Sequence, residues 1–315
     1  MFYRLQQRYA PYLFVSPFIV LFCVFMLYPL VKSVILSFYI TAGPRAQVFV
    51  GLDNFAFLLR DPDFHKAALN TLIFTLASLL VQLPLSLGAA MLLNSKAVRG
   101  RNFFRFAFFS PHLMGTVFAA ILFTLVLAPR FGILNKGLVA LVEHTGPLGD
   151  AIQWLVQLTF GVEITLETRW LQEPVLVLPA IILVSLWLYI GFNMIYFLAA
   201  LQSVDQDLYE AAHVDGASPW QRFLHVTLPG IKPVTVFVVV MSTIGSFKMF
   251  ELAYLLLGGG TGPDQAGLFI VTYLYQSGFE VGDLGYASAI GWTLTIAVLI
   301  VALLQIKFSG TLKKE

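Results

Sequence analysis

Six apolar stretches, each long enough to cross a lipid bilayer as a helix, constrain this chain more than any other feature. A hydrocarbon core about 30 Å thick needs roughly 20 helical residues. Windows of that length without unpaired charge fall at residues 12–38, 69–93, 106–128, 174–201, 234–257 and 284–306. Only 11% of the 315 residues are charged and 58% are hydrophobic, a balance foreign to soluble domains. The expected fold is therefore all-α and integral to a membrane, with six transmembrane helices. The first stretch is too long, and preceded by too few basic residues, for a cleaved signal peptide, so it counts as a span.

Lys and Arg are retained on the cytoplasmic side of a membrane. Placing residues 1–11 and the tail 309–315 in the cytoplasm puts eleven Lys and Arg inside, among them Arg99, Arg101 and Arg105, against six outside. Both termini are expected to be cytoplasmic. The single cysteine, Cys23, lies in the first span, so no intramolecular disulfide can form. No Lys/Arg-rich tract with interleaved aromatics points to nucleic acid.

Two outer loops are long, at 39–68 and 129–173, and the second carries helical spacing that suggests short interfacial helices. Prolines fall in or beside the spans at Pro29, Pro84, Pro111 and Pro179, as membrane helices tolerate where neighbours or a water-filled cavity satisfy the freed backbone. The inner loop 202–233 is acidic, with Asp205, Asp207, Glu210 and Asp215 against Arg222 and Lys232. A basic partner surface would account for that charge, and so would solvation. By helix rules the loop is two short helices. Asp205 caps the first, Asp215 and Gly216 break it, and Ser218-Pro219-Trp220-Gln221 forms a capping box that opens the second. Pro229 is expected to end it, with Trp220, Phe223, Leu224 and Leu228 on one apolar side that anchors the hairpin under the spans.

Glu210-Ala211-Ala212, then Gly216, then Val226 and Leu228-Pro229 reproduce a spaced motif. It resembles the EAA loop of ABC importer permeases, with Val226 where isoleucine is commoner. The resemblance implies that this loop is a coupling helix seated in a groove of an ATPase subunit. Glu210 would pair with a basic residue there, Asp215 and Gly216 would make the turn, and Ala211 and Ala212 would allow close approach. Gly51-Leu52-Asp53-Asn54-Phe55, Asn70-Thr71 and Gly258-Gly259-Gly260 are similar to the maltose-type, or carbohydrate-uptake-1, permeases, and the likeness runs from Pro11 to Phe308. It implies the type I importer permease fold and a sugar substrate. The implied partners are a second, homologous permease, two copies of a cytoplasmic ABC ATPase and an extracytoplasmic solute-binding protein. ATP and Mg would be bound by the ATPases, with no cofactor in this chain.

Charge at membrane depth tends to face a cavity or a partner. Lys248 and Glu251, three residues apart in the fifth stretch, would share a helical face and partly neutralise each other. They could line a pathway with Ser242, Thr243 and Ser246, or form a buried pair against a sister subunit. Asn193 could offer its amide to sugar hydroxyls, while Trp187, Tyr189 and Trp292 could stack on a pyranose or simply pack. Lys32 would snorkel to the outer headgroups. No Gly-Lys-Ser/Thr phosphate loop, metal-ligand spacing or Gly-x-Ser-x-Gly elbow occurs. Three rivals remain open: an importer of a phosphorylated polyol such as glycerol 3-phosphate, with Lys248 drawing the phosphate; an integral-membrane enzyme; and an ion-coupled transporter, which would leave the EAA loop unexplained.

Overall fold

The structure, a computed structural model, describes residues 2–43, 46–95 and 98–310, and of residues 2–8, 11 and 46 the backbone alone. Arg45, Lys96 and the tail from 311 onward, all part of the charge reading above, lie outside the described residues. In chain order the elements are α1 (Tyr12–Leu36), β1 (Tyr39–Ala42), β2 (Ala46–Phe49), α2 (Asp53–Leu58), α3 (Pro62–Asn94) and α4 (Arg101–Val126). There follow α5 (Ile133–His144), α6 (Pro147–Phe160), α7 (Pro174–Ser203) and α8 (Gln206–Val214). The chain closes with α9 (Pro219–Phe247), α10 (Glu251–Leu256), α11 (Ile270–Tyr275) and α12 (Leu284–Phe308). Six of these, α1, α3, α4, α7, α9 and α12, are long and apolar enough to cross a membrane, so the six-span fold stands. Among the described residues the antiparallel β1–β2 pair, in register Tyr39 with Phe49, is the one departure from all-α.

Three helix boundaries differ most from the sequence reading. The second span begins at Pro62 rather than 69, and the fifth, read as 234–257, ends at Phe247 with α10 apart from it. At its other end α9 runs unbroken from Pro219, so Pro229 does not end the second helix of the hairpin. Behind that continuity is a repeated local device. One wide π turn occurs at Cys23–Leu27, Ser78–Gln82 and Phe223–Thr227, each followed after one residue by Pro29, Pro84 or Pro229. The residue between donates its N–H five places back, Tyr28 to Cys23, Leu83 to Ser78 and Leu228 to Phe223. Proline has no N–H and its ring presses on the carbonyl four residues back; the extra residue of the wide turn moves that carbonyl aside. The helix bends and continues. In α4 it does break, at Gly115 (φ 80°, ψ 164°), four residues after Pro111.

The chain forms two compact units. One comprises residues up to Phe64 with Tyr273–Ile296. Its loops are tied by acceptors: the Asp283 carboxylate accepts from the Thr41 N–H (3.1 Å) and hydroxyl (3.1 Å) and the Tyr286 N–H (3.0 Å). The Asn54 amide donates to the Ser37 and Tyr39 carbonyls at 3.0 and 2.9 Å. Asp61 is buried, caps α3 through the Asp63 N–H, and accepts hydroxyl bonds from Tyr273 and, at 2.6 Å, Tyr286. Burial pushes its carboxyl up, but these hydrogen bonds outweigh it and hold the group below the usual carboxylate range. Burial and the Asp61 hydrogen bond push the Tyr273 phenol up to about 12. Trp292 donates to the Ser33 hydroxyl at 3.2 Å.

The second unit, His65–Thr272 with the end of α12, is built around α7. Leucines, valines and isoleucines make α7 apolar all round, the pattern of a helix enclosed by others. Its first half packs with Phe74, Phe123 and Leu252; its second half packs with Leu83, Ile231 and Val238. Asn70 fastens the loop before α11 by donating to the Gln265 and Leu268 carbonyls at 3.1 and 2.9 Å. In the 127–173 loop the fully buried Asn135 donates to the Leu166 (3.2 Å) and Thr168 (2.9 Å) carbonyls and accepts from the Trp170 indole at 2.7 Å.

Candidate functional site

Three helices of the second unit enclose a cavity of about 190 Å³ at the level of the spans. α3 supplies Ser78 and Gln82, α7 supplies Ser185, Tyr189, Phe192 and Asn193, and α9 supplies Ser242, Gly245 and Ser246. Ser78 and Gln82 are the first and last residues of the wide turn in α3, and a π turn at a functional site is a recurrent pairing. Gln82, Ser185 and Asn193 are each no more than 5% exposed. Ser185 donates to the Gln82 side-chain oxygen at 3.5 Å. The His112 ring, not itself part of the lining, packs against two of its aromatic residues, with ring centroids 4.3 Å from Phe192 and 5.5 Å from Tyr189. Hydroxyls and amides beside aromatic faces can hold a neutral polyhydroxylated ligand, since each hydroxyl finds a donor or acceptor and each apolar ring face finds a ring. No formally charged side chain lines the cavity.

Asn193, Tyr189, Ser242 and Ser246, each a pathway candidate from the sequence, line this one cavity. Ser78, Gln82 and Ser185 were not foreseen; the signal was an amide mid-span, which is costly unless used. Trp187 does not face this cavity. It packs on Phe123 (5.2 Å between rings) and lines a separate groove against α4. Trp292 is engaged with Ser33 in the other unit. Lys248 and Glu251 do not share a helical face, because α9 ends at Phe247, Phe250 leaves helical geometry, and α10 starts at Glu251. Both are exposed and form no ion pair.

The hairpin after α7 has the expected local chemistry. Asp205 caps α8 by accepting from the Asp207 N–H at 3.0 Å. Gly216 adopts φ 76°, a left-handed conformation that glycine enters without strain, and the Ala217 N–H reaches back to the Ala212 carbonyl at 2.9 Å. Both halves of the Ser218/Gln221 capping box are present, at 2.7 and 3.3 Å. Glu210 and Ala211 lie exposed on one limb and Asp215 at its end, while Leu228 and Pro229 continue into α9. The anchor differs from expectation: Trp220 is 66% exposed, and Tyr209 and Val226 pack into the core instead. The Tyr209 hydroxyl also meets the Thr227 hydroxyl at 2.9 Å, linking the limbs. No cluster of three or more metal-ligating side chains occurs among the described residues.

Residues 82–309 match the family model described as binding-protein-dependent transport system inner membrane component. An arabinooligosaccharides transport system permease protein of Bacillus subtilis (strain 168) is 40% identical, over 98% of this chain and 91% of its own length. A lactose transport system permease protein of Rhizobium radiobacter is 33% identical, over 93% and 92%. A crystal structure of a bacterial ABC transporter involved in the import of the acidic polysaccharide alginate shares the fold with a TM-score of 0.78, at 25% identity and 99% coverage of both chains.

Proposed function

From the premise that this chain belongs to the binding-protein-dependent transport inner membrane components, we propose that it is the sugar-conducting permease subunit of an ATP-driven importer. It is a multi-pass membrane protein of the type I importer permease fold and a transport component rather than an enzyme. The observation that carries the sugar reading is the cavity between α3, α7 and α9: amides, hydroxyls and aromatic rings with no formal charge. A phosphorylated polyol would need a cation there, and Lys248 is not among the lining residues. The relatives' sugar substrates agree with this reading.

In this reading both termini are cytoplasmic and the hairpin of α8 and α9 meets a separate ABC ATPase, which binds ATP and Mg. Glu210 supplies a free carboxylate to a basic groove, with Ala211, Ala212 and Gly216 keeping the contact close. A second, homologous permease completes the pathway, and an extracytoplasmic binding protein delivers the sugar. When the ATPases close, the hairpin moves and the helices around the cavity switch the side to which it opens.

The test is ATP hydrolysis and sugar uptake by the assembled importer in liposomes, with a sugar panel and with Glu210→Ala beside wild type. Sugar-dependent hydrolysis that collapses in Glu210→Ala supports both the importer and the coupling role. Uptake of a phosphorylated polyol in preference to every sugar would replace the substrate class, and failure to assemble with any ATPase would overturn the reading.

A further inference from the structure

Two neighbouring openings on α4 play no part in the transport reading. The first, about 380 Å³, is lined by Gly100, Arg101, Asn102 and Arg105. The second, about 370 Å³, is an apolar groove against α7 that includes Phe104, Phe108, Pro111, Leu186, Trp187 and Ile190. Positions 101, 104, 105, 108 and 111 recur at helical spacing and share one face, so the cationic opening and the apolar one lie in line along the helix. The midpoints of their α4 residues, 103 and 107, are about 6 Å apart along the helix at 1.5 Å per residue.

The guanidinium groups have no acidic partner, since the ion pair among the described residues is Arg130 with Glu167. The Arg105 Nε is buried without a hydrogen bond. A guanidinium is always charged and offers a planar fork of donors that matches a phosphate. An orphan donor at the edge of hydrocarbon is costly until an acceptor arrives. Phe103 and Phe106, on the same turns of α4 as these arginines, are exposed apolar rings, which puts those turns at the level of lipid.

We infer that the two openings are one site for an anionic phospholipid, its phosphate on Arg101 and Arg105 and one acyl chain in the groove beside Trp187. A free phosphate would fill the first opening and leave the groove empty. An apolar helix from a neighbouring subunit would fill the groove and leave the guanidiniums unpaired. The phospholipid answers both.

The experiment uses the full chain in its assembled transporter, in nanodiscs carrying phosphatidylglycerol or phosphatidylcholine with the same photoactivatable acyl chain. Crosslinks are mapped by mass spectrometry to residues 103–111 and 186–190. Wild type is expected to label with phosphatidylglycerol over phosphatidylcholine by roughly thirtyfold, the factor two guanidiniums supply against an anionic headgroup. Arg101→Gln with Arg105→Gln should reduce that preference to near unity. Ala107→Phe, at an exposed position lining the groove, should remove labelling by both lipids while both arginines remain, which keeps the test decisive if the arginine variant fails to assemble. Equal labelling by the two lipids in wild type, displacement of phosphatidylglycerol by inorganic phosphate alone, or absence of labelling because another subunit covers the groove would each overturn the site.

Discussion

At Gly191 the backbone of α7 lies close against that of α4, and Gly191→Ala tests whether that approach is as tight as the structure has it. A Cβ at Gly191 would lie 1.7 Å from the Phe108 carbonyl oxygen and 2.3 Å from its carbon, where real Cβ contacts below 3.0 Å essentially never occur. The obstacle is backbone, so no side chain can swing away, and the helices must part by more than 1 Å. Overpacking of this kind costs about 1–3 kcal/mol, and 2 kcal/mol raises the unfolded fraction roughly thirtyfold. Gly88→Ala is the matched control. Nothing lies within 4 Å of a Cβ at Gly88, so alanine there should gain about 0.5–1 kcal/mol by limiting the unfolded chain. Denaturant unfolding of the two variants in the same micelle, followed by aromatic circular dichroism, reads the difference. Gly191 also sits between Tyr189 and Asn193 of the cavity wall, so uptake should fall with stability in the first variant and persist in the second. A Gly191→Ala protein as stable as Gly88→Ala would refute the close packing.

Gln82→Leu keeps side-chain bulk but removes the amide that faces Ser185; uptake by the assembled importer should drop at least tenfold with little change in unfolding midpoint, while an unchanged uptake would remove Gln82 from the pathway. Asp61→Asn should destabilise by about 2 kcal/mol at neutral pH, from weakened bonds to Tyr273 and Tyr286. The folded carboxyl lies below its ordinary range, so this contribution is complete above about pH 4 and is lost as pH falls through the folded value. The gap between wild type and Asp61→Asn in unfolding midpoint should therefore narrow on acidification from pH 6 to pH 3; a constant gap would refute the charged hydrogen-bond account. Asn135→Leu orphans two carbonyls and the Trp170 indole, at a cost of about 3 kcal/mol. It should open the 127–173 loop to proteolysis while the six spans stay folded, and unchanged cleavage would show that Asn135 is not the clamp.

The spans were legible because membrane helices declare themselves by length and apolarity, and the hairpin was legible because capping is local: Asp205, Ser218 and Gln221 do in the structure what their spacing suggests. A third of the cavity lining was legible as candidates: Asn193, Tyr189, Ser242 and Ser246 of twelve residues. The α3 wall was not: Ser78 and Gln82 share a face at i and i+4 on an α turn or a wide one alike, and what that face meets, Ser185 of α7, is set by packing far away in sequence. Hydropathy cannot distinguish an α turn from a π turn. That blind spot turned Pro229 into a helix end. Lys248 and Glu251 failed for the opposite reason: spacing assumed a continuous helix, and Phe250 interrupts it. Whether Trp187 faces a cavity or lipid depends on which neighbour packs beside it, and that neighbour, α4, is far away in sequence.

The continuity of α9 changes how a signal from the hairpin could travel. If Pro229 ended a coupling helix, motion of the hairpin would reach the fifth span only through a loop, and much of it would be absorbed. Instead the capping box at Ser218 and the cavity residues Ser242 and Ser246 belong to one helical rod, about 40 Å long at 1.5 Å per residue. The wide turn at Phe223–Thr227 interrupts the regular α ladder of that rod, and Tyr209, through Thr227, ties the first limb to it just there. Force on Glu210 would then enter the rod at its bend rather than at its end, so that a small displacement of the hairpin swings the serine-bearing half of α9 against α3 and α7. Tyr209→Phe isolates this link, since it removes one hydroxyl and leaves Glu210 and the cavity untouched. Sugar-stimulated ATP hydrolysis should persist while uptake per ATP falls severalfold; an unchanged ratio would mean that the thrust passes through the helix ends instead.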